Sequence, residues 1–366
     1  TLGGSMEKKL RKMVNPMPET KPLRFGIIGC GSASIPVCEA ITASPLTELT
    51  AVYDVNHNLA NDISQRFHVP MMKSLDELLA NPIVDSVYIA VPHYLLASLT
   101  QQSLKAGKHA LTEKPMGISL EEIDESTRLA ADHKLAMGVF YEMRYAPAHD
   151  KARELIQAGA IGKIVGVQIQ TLIDKPLSYW QSGYTGRSIN PWRSIKAQAG
   201  GGVVLMNTSH LLDAITYVTG LRITSVCAEV ATLTASVEVE DFATATLRFE
   251  NGAIGSLISA AHIPGARDDE FCCIYGTEGQ LRLPDPYGNN PLQLYLKHQW
   301  SDLEAGQWHA LQSEAVPVYK SAIEDFARSI QSGECVRING HDARYVLSVV
   351  LGMYQSAKEQ RRISIS

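Results

Sequence analysis

Lys114 stands between Glu113 and Pro115 in Leu111-Thr-Glu-Lys-Pro-Met116, where an apolar run stops. A partly desolvated lysine shifts its pKa readily and can trade protons with a substrate hydroxyl. The same pair can equally be a surface ion pair before a turn proline, so its setting has to decide. His109-Ala-Leu-Thr112 reads as a short buried strand, and Ser119-Leu-Glu-Glu122 as a capping box that opens the next helix. Glu113 and Lys114 then sit at the carboxyl end of a parallel strand, where open α/β sheets bind their ligands.

Other residues with chemistry fall at comparable places. Leu23–Ile28 feeds Gly29-Cys-Gly-Ser-Ala-Ser34, a G-x-G turn with Ser34 where a third Gly or Ala is usual. Gly29 allows the tight turn and Gly31 a close approach of backbone to a pyrophosphate, with Ser32 and Ala33 at the opening of the helix behind it. Asp54 ends the next strand, 23 positions after Gly31, where a carboxylate accepts both hydroxyls of an adenosine ribose or caps a helix. Val55, Asn56 and His57 follow, with no cation for a 2′-phosphate, so NAD is expected over NADP. Val91, Pro92 and His93 close another apolar strand, Ser86–Val91, and join the cofactor-binding set, as do Glu113 and Lys114.

The second half carries two further groups. Residues 179–193 hold Tyr179, Tyr184, Arg187, Trp192 and Arg193 without the period of a helix or a strand. Aromatic planes with a few donors suit a polyol, and the arginines would add selectivity for a carboxylate or phosphate. A structural loop at a subunit contact has the same composition. Gly200-Gly-Gly202 then opens a helix over 203–219 that bears Met206, Asn207, His210 and Asp213. Spacings of three place the last three on one face, with Asp213 available to brace His210 or an arginine.

The elements that must position these groups alternate βα up to residue 142 and are strand-rich beyond it. Two domains are expected: a nucleotide-binding Rossmann domain over 23–142 and an α+β domain over 143–366, for substrate and oligomerisation. Residues 1–22 read as a tag-like start (Thr1–Ser5, before Met6) and a basic extension. A net charge of −5 gives no footprint for nucleic acid, and no apolar run approaches the ~20 residues that cross a bilayer. The six cysteines lack CxxC or Cys/His ligand spacing, so no metal site is expected, and free thiols in a reducing cytoplasm are the simplest account.

Taken together, the G-x-G turn, Asp54, Ala90-Val-Pro-His93, Glu113-Lys-Pro115, Arg144-Tyr-Ala-Pro147, Ala158–Lys163 and Gly200–Asp213 resemble the glucose–fructose oxidoreductase/inositol dehydrogenase/MocA family. The resemblance covers most of the chain. It implies a Rossmann domain followed by a large, open, mostly antiparallel sheet, an NAD(P) cofactor, and a sugar, cyclitol or related polyol as substrate. It also implies a cis Lys114-Pro115 bond and a substrate-facing His210. The family usually has Asp four residues before that histidine; here the position is Met206, which leaves Asn207 as the nearest polar group. The expected catalytic set is therefore Lys114, His210 and Asn207, with Glu113 setting the electrostatics of the lysine. The expected protein is an NAD-dependent oxidoreductase, a homodimer or homotetramer in the cytoplasm. The rival readings are a glycosidase or epimerase using transient oxidation, and a non-catalytic NAD or sugar sensor.

Overall fold

The computed structural model describes residues 21–266, 269–284, 290–314 and 316–365. The start read over residues 1–22 lies, except for its last two residues, outside them. The chain forms two compact units.

The first gathers the described residues up to Phe140 with Thr185–Asn190 and Tyr319–Arg344, both from beyond the boundary drawn at 142. Its strands β1 (Leu23–Ile28), β2 (Thr47–Tyr53), β3 (Ser86–Ile89), β4 (His109–Thr112) and β5 (Met137–Val139) form one parallel sheet in the order β2-β1-β3-β4-β5. Parallel strands need crossovers, and helices α1 (Ser34–Thr42), α2 (His57–Phe67), α3 (Leu75–Ala80), α4 (His93–Lys105) and α5 (Leu120–His133) supply them. Val52 also makes a parallel bridge to Met71, so one residue stands beyond β2 where the usual dinucleotide fold has a whole strand. β3 and β4 are buried along their whole length, which is why they read as unbroken apolar runs. Ser119 and Glu122 form the expected capping box at α5. Helix α8 (Val318–Ser332) brings Phe326 to within 6.2 Å of Phe25, ring to ring, completing the core of this unit from far along the chain.

The second unit comprises Tyr141–Tyr184, Pro191–Val318 and Tyr345–Ser366. It is built on a nine-stranded sheet in the order β13-β12-β11-β10-β6-β9-β8-β7-β14. Only β6 (Ile164–Leu172) and β9 (Ile254–Ala260) pair in parallel. The other neighbours are antiparallel: β7 (Ile223–Ala231), β8 (Phe242–Phe249), β10 (Asp269–Gly276), β11 (Gly279–Leu283), β12 (Leu292–Leu296), β13 (Trp308–Leu311) and β14 (Ile363–Ser364). In β8, Ala243, Ala245, Leu247 and Phe249 are buried while Thr244, Thr246 and Arg248 are exposed, so one face is covered and the other is open. Helices α6 (Pro147–Gln157), α7 (Ser209–Thr219) and most of α9 (Gly340–Glu359) belong to this unit. Strands β13 and β14 lie at the sheet edges and are only four and two residues long, too short for an alternating pattern to register in the sequence.

Candidate active site

The groups with chemistry form two sets, each within one unit. In the first unit, Gly29 has φ +92°, and a Cβ there would lie 2.3 Å from the carbonyl oxygen of Ala90. Only glycine makes this turn. A Cβ on Gly31 would meet nothing within 4 Å, so the ground above the turn is open. Among the described residues, the backbone amides of Gly31, Ser32 and Ala33 donate to no protein acceptor. Unspent amides at the head of α1, over open space, form a cradle for a phosphate. Asp54 Oδ2 accepts from Cys30 N at 2.7 Å and Oδ1 from Asn56 N at 2.7 Å. Each oxygen retains a second lone pair, so the carboxylate both fixes the turn and can take the two ribose hydroxyls of a dinucleotide. The residues present fit that cofactor.

Val91 and Pro92 follow β3, and His93 is buried as the first residue of α4. One strand further on, Glu113 accepts from the Tyr88 hydroxyl and from Lys114 N (3.2 Å), and the Lys114-Pro115 bond is cis. Burial pushes the Glu113 carboxyl above its ordinary range, against the opposing pull of the Lys114 ammonium and the tyrosine.

Arg187 belongs to this unit. Its Nε donates to the carbonyl of Cys30 at 3.2 Å, and its Nη1 lies 2.6 Å from Asp62 in α2. Thr185 hydrogen-bonds Ser32 beside the same turn. The residues after Asp54 carry no cation, yet one reaches the glycine turn from a segment far along the chain. Sequence spacing has no means of registering that.

The second set starts from the glycine-rich entry to α7. A Cβ on Gly202 would fall 1.8 Å from the carbonyl oxygen of Glu240, so glycine is required where these backbones meet. The Glu240 carboxylate accepts from Gly202 N (2.7 Å), Val204 N (3.0 Å) and the Tyr354 hydroxyl (2.8 Å). It thereby ties down the start of the helix, and burial raises its pKa. Val204–Thr208 is then one π-helical turn, which carries Met206 and Asn207 ahead of α7. The extra residue of a π turn changes the angular relation across it, so spacings of three do not keep Asn207 in line with the residues after it.

Each of those side chains accordingly has its own surroundings. Asn207 Oδ1 accepts from Lys175 Nζ at 2.5 Å. His210 lies edge-on to Tyr141, with ring centroids 5.7 Å apart, and its Nδ1 is 3.6 Å from Glu142 Oε2. Asp213, fully buried, binds Arg144 through both oxygens, at 2.6 Å to Nε and 2.5 Å to Nη2. Of the two partners open to Asp213, the arginine is one that it takes. The paired contact holds the 3₁₀ turn Glu142–Tyr145 against α7, and that turn presents Glu142 to His210.

Lys175 is the main residue that the sequence reading missed. It is 3% exposed, and its Nζ lies 3.9 Å from the ring centroid of Tyr179. Tyr184 packs on Tyr179 with centroids 4.7 Å apart, and the Tyr179 hydroxyl reaches Met206 Sδ at 3.7 Å. Arg193 stacks over Trp192 at 4.5 Å and over the Tyr179 ring at 5.4 Å. Trp180 Nε1 donates to His262 Nε2 at 2.9 Å, which leaves His262 Nδ1 to donate to the carbonyl of Lys175 at 2.7 Å. Tyr179, Tyr184, Trp192 and Arg193 are thus brought together, and Arg187 is not among them.

Comparison with known proteins gives a consistent result. The profile of an oxidoreductase family with an NAD-binding Rossmann fold matches residues 23–141, and that of the GFO/IDH/MocA C-terminal domain matches residues 149–282. The chain is 26% identical to a 1,5-anhydro-D-fructose reductase of Ensifer adhaerens, over 78% of this chain and 80% of that protein. It is 21% identical to a myo-inositol 2-dehydrogenase of Thermotoga maritima, over 94% of this chain and 98% of that one. A solved levoglucosan dehydrogenase in complex with NADH shares the fold, with TM-score 0.85, 23% identity, and coverage of 94% of this chain and 100% of that one.

Proposed function

This chain belongs to the GFO/IDH/MocA oxidoreductase family, and from that premise we propose that it transfers hydride between NAD and a secondary alcohol or ketone of a sugar, cyclitol or related polyol. Bound NAD supplies the hydride chemistry at its nicotinamide ring. The amides of residues 31–33 hold the pyrophosphate, Asp54 the adenosine ribose, and Val91, Pro92 and His93 line the cofactor at the end of β3. Lys114 contacts the reacting oxygen and moves its proton, with Glu113 fixing the charge beside it. His210, with the Glu142 carboxylate 3.6 Å from its Nδ1, is the second proton-handling group, and Asn207 positions the substrate.

One observation carries this reading. The turn at Gly29, the Asp54 carboxylate and the Glu113-Lys114 pair all follow the carboxyl ends of strands of one parallel sheet, β1, β2 and β4. That edge is where such sheets bind nucleotides and place their chemistry. The relatives named as a reductase of anhydrofructose and a dehydrogenase of myo-inositol support the substrate class. The test is NADH absorbance with a panel of sugars, cyclitols and sugar acids, in both directions and with both cofactors. NAD-linked turnover of one class is expected, with NADP inferior; silence across the panel, or equal use of NADP, contradicts it. The protein is further read as a cytoplasmic homo-oligomer, supported by its cysteine usage and by the open face of the nine-stranded sheet.

A further inference from the structure

The Asn207 amide has a defined sense. An oxygen 2.5 Å from an ammonium is an acceptor, so Oδ1 faces Lys175 and the NH₂ points away from it. Among the described residues that NH₂ donates to no protein atom, and Asn207 is partly exposed. A ligand group that accepts a hydrogen bond satisfies this NH₂.

Two cations stand at the same ring. Lys175 Nζ and the Arg193 guanidinium lie 3.9 and 5.4 Å from the centroid of the same ring, that of Tyr179. Arg193 is partly exposed and flat against Trp192, and among the described residues no carboxylate pairs with it. An anion placed beside the Arg193 guanidinium supplies the counter-charge that it lacks among the described residues. A planar guanidinium and an outward amide N–H are donors that match the oxygens of a carboxylate.

We propose that the substrate carries an anionic oxygen group, a carboxylate as in a sugar acid, which Arg193 and the Asn207 NH₂ bind with Lys175 behind the amide. This rests on the hydride-transfer reading above and narrows it from polyols in general to acidic ones. Lys175 is then a positioning residue, which sets the sense of Asn207 and strengthens its N–H as a donor.

The experiment compares D-glucuronate and D-gluconate with D-glucose and myo-inositol, with glucose 6-phosphate as the phosphate arm. It reads both kcat/KM with NAD and calorimetric binding to the NAD-loaded protein. Acids should be preferred by about ten- to a hundredfold, the reach of one hydrogen bond to a charged group. Arg193→Gln should remove most of that preference. Asn207→Asp keeps an acceptor for Lys175 but replaces the donor with a negative charge, so it should turn the preference toward neutral sugars. Lys175→Met should lower kcat/KM for the acids more than for the neutral sugars, so that the preference shrinks. A preference for the phosphate over both series upholds the anionic group and assigns it to phosphate. Equal binding of acids and neutral sugars, or a preference unchanged in Arg193→Gln and Asn207→Asp, overturns the proposal. If no compound is turned over while calorimetry still ranks the acids first, the reaction fails and the anion site stands.

Discussion

Lys114 follows directly on a carboxyl group that burial holds above its ordinary range, which makes it the residue on which the reaction is most directly testable. Lys114→Ala should leave folding and NAD affinity largely intact, because in the proposed reading the glycine turn and Asp54 hold most of the cofactor. Turnover should fall by about 10²–10⁴, the usual reach of one positioned proton-transfer group. Lys114→Arg should not restore it, since a guanidinium does not give up its proton. A Lys114→Ala enzyme with most of its kcat ends this assignment. His109, in β4, offers a test at a single residue in the core. Burial pushes its pKa down to about 4, and its Nδ1 accepts from Ala136 N at 2.9 Å, which needs the neutral ring. A histidine whose pKa is lower in the fold stabilises it fully above the ordinary 6.5 and progressively less as the pH falls toward 4. The loss is at most about 3 kcal/mol for this group. Glu113 and Glu240, raised by burial, act in the opposite sense, so the useful quantity is the difference between wild type and His109→Asn. Urea unfolding at pH 7 and pH 4.5 should show a flatter dependence in the variant; parallel behaviour refutes it. Single residues were legible where the backbone pattern itself marked them, as with Asp54 and Lys114 at strand ends. Lys175 was not, because Ile173-Asp-Lys175-Pro reads as any strand end and its partner Asn207 lies in a separate element.

The stretch from Tyr179 to Arg193 shows what an aperiodic segment conceals. It consists of a helical turn, Tyr179–Ser182, six residues assigned to the first unit, and a 3₁₀ turn, Pro191–Ser194. Its aromatic and arginine content was visible, but the division of Arg187 from Arg193 was not, because both depend on partners remote in sequence. The two arginines should therefore separate kinetically. Arg193→Gln and Trp192→Ala should raise KM for the true substrate and leave NAD affinity unchanged. Arg187→Ala releases the Cys30 carbonyl and the ion pair with Asp62, so it should weaken NAD by roughly fivefold, about one net hydrogen bond. NAD titration by fluorescence beside sugar KM measurements checks both. If Arg187→Ala raises only the sugar KM, the segment acts as one substrate loop. The entry to α7 is a second case. Three consecutive glycines read only as the opening of a helix, and the buried Glu240 that requires glycine at 202 lies in Glu238-Val-Glu-Asp241, which reads as nothing more than the approach to β8. A π turn has no sequence period of its own, so the departure from a shared face for Asn207, His210 and Asp213 could not be foreseen.

At the scale of the molecule, the βα alternation and the alternating strands of the second half were enough to separate a parallel from an antiparallel sheet. They could not show that Tyr319–Arg344 packs with the first unit, because α8 is amphipathic in either setting. The open face of the nine-stranded sheet bears directly on assembly. Across β7, β8 and β9, Cys227, Thr246 and Ser256 are in register and exposed, and the neighbouring positions include Ile254 at 49% exposure. A broad sheet face on which Thr244, Thr246 and Ser256 alternate with only a few charges, Glu229 and Arg248 among them, can cover the ~800 Å² per partner of a stable interface. The protein should sediment as a dimer or tetramer of the 40.0 kDa chain. Thr246→Arg places a cation in the middle of that face, and in a twofold pairing it meets or closely approaches its own copy. The variant should shift toward monomer while its thermal unfolding at low concentration stays close to that of the wild type, since the exposed side chain contributes little to the core. A wild type that sediments at the mass of one chain, or a Thr246→Arg protein that keeps the wild-type mass, shows that this face is not the one through which copies meet.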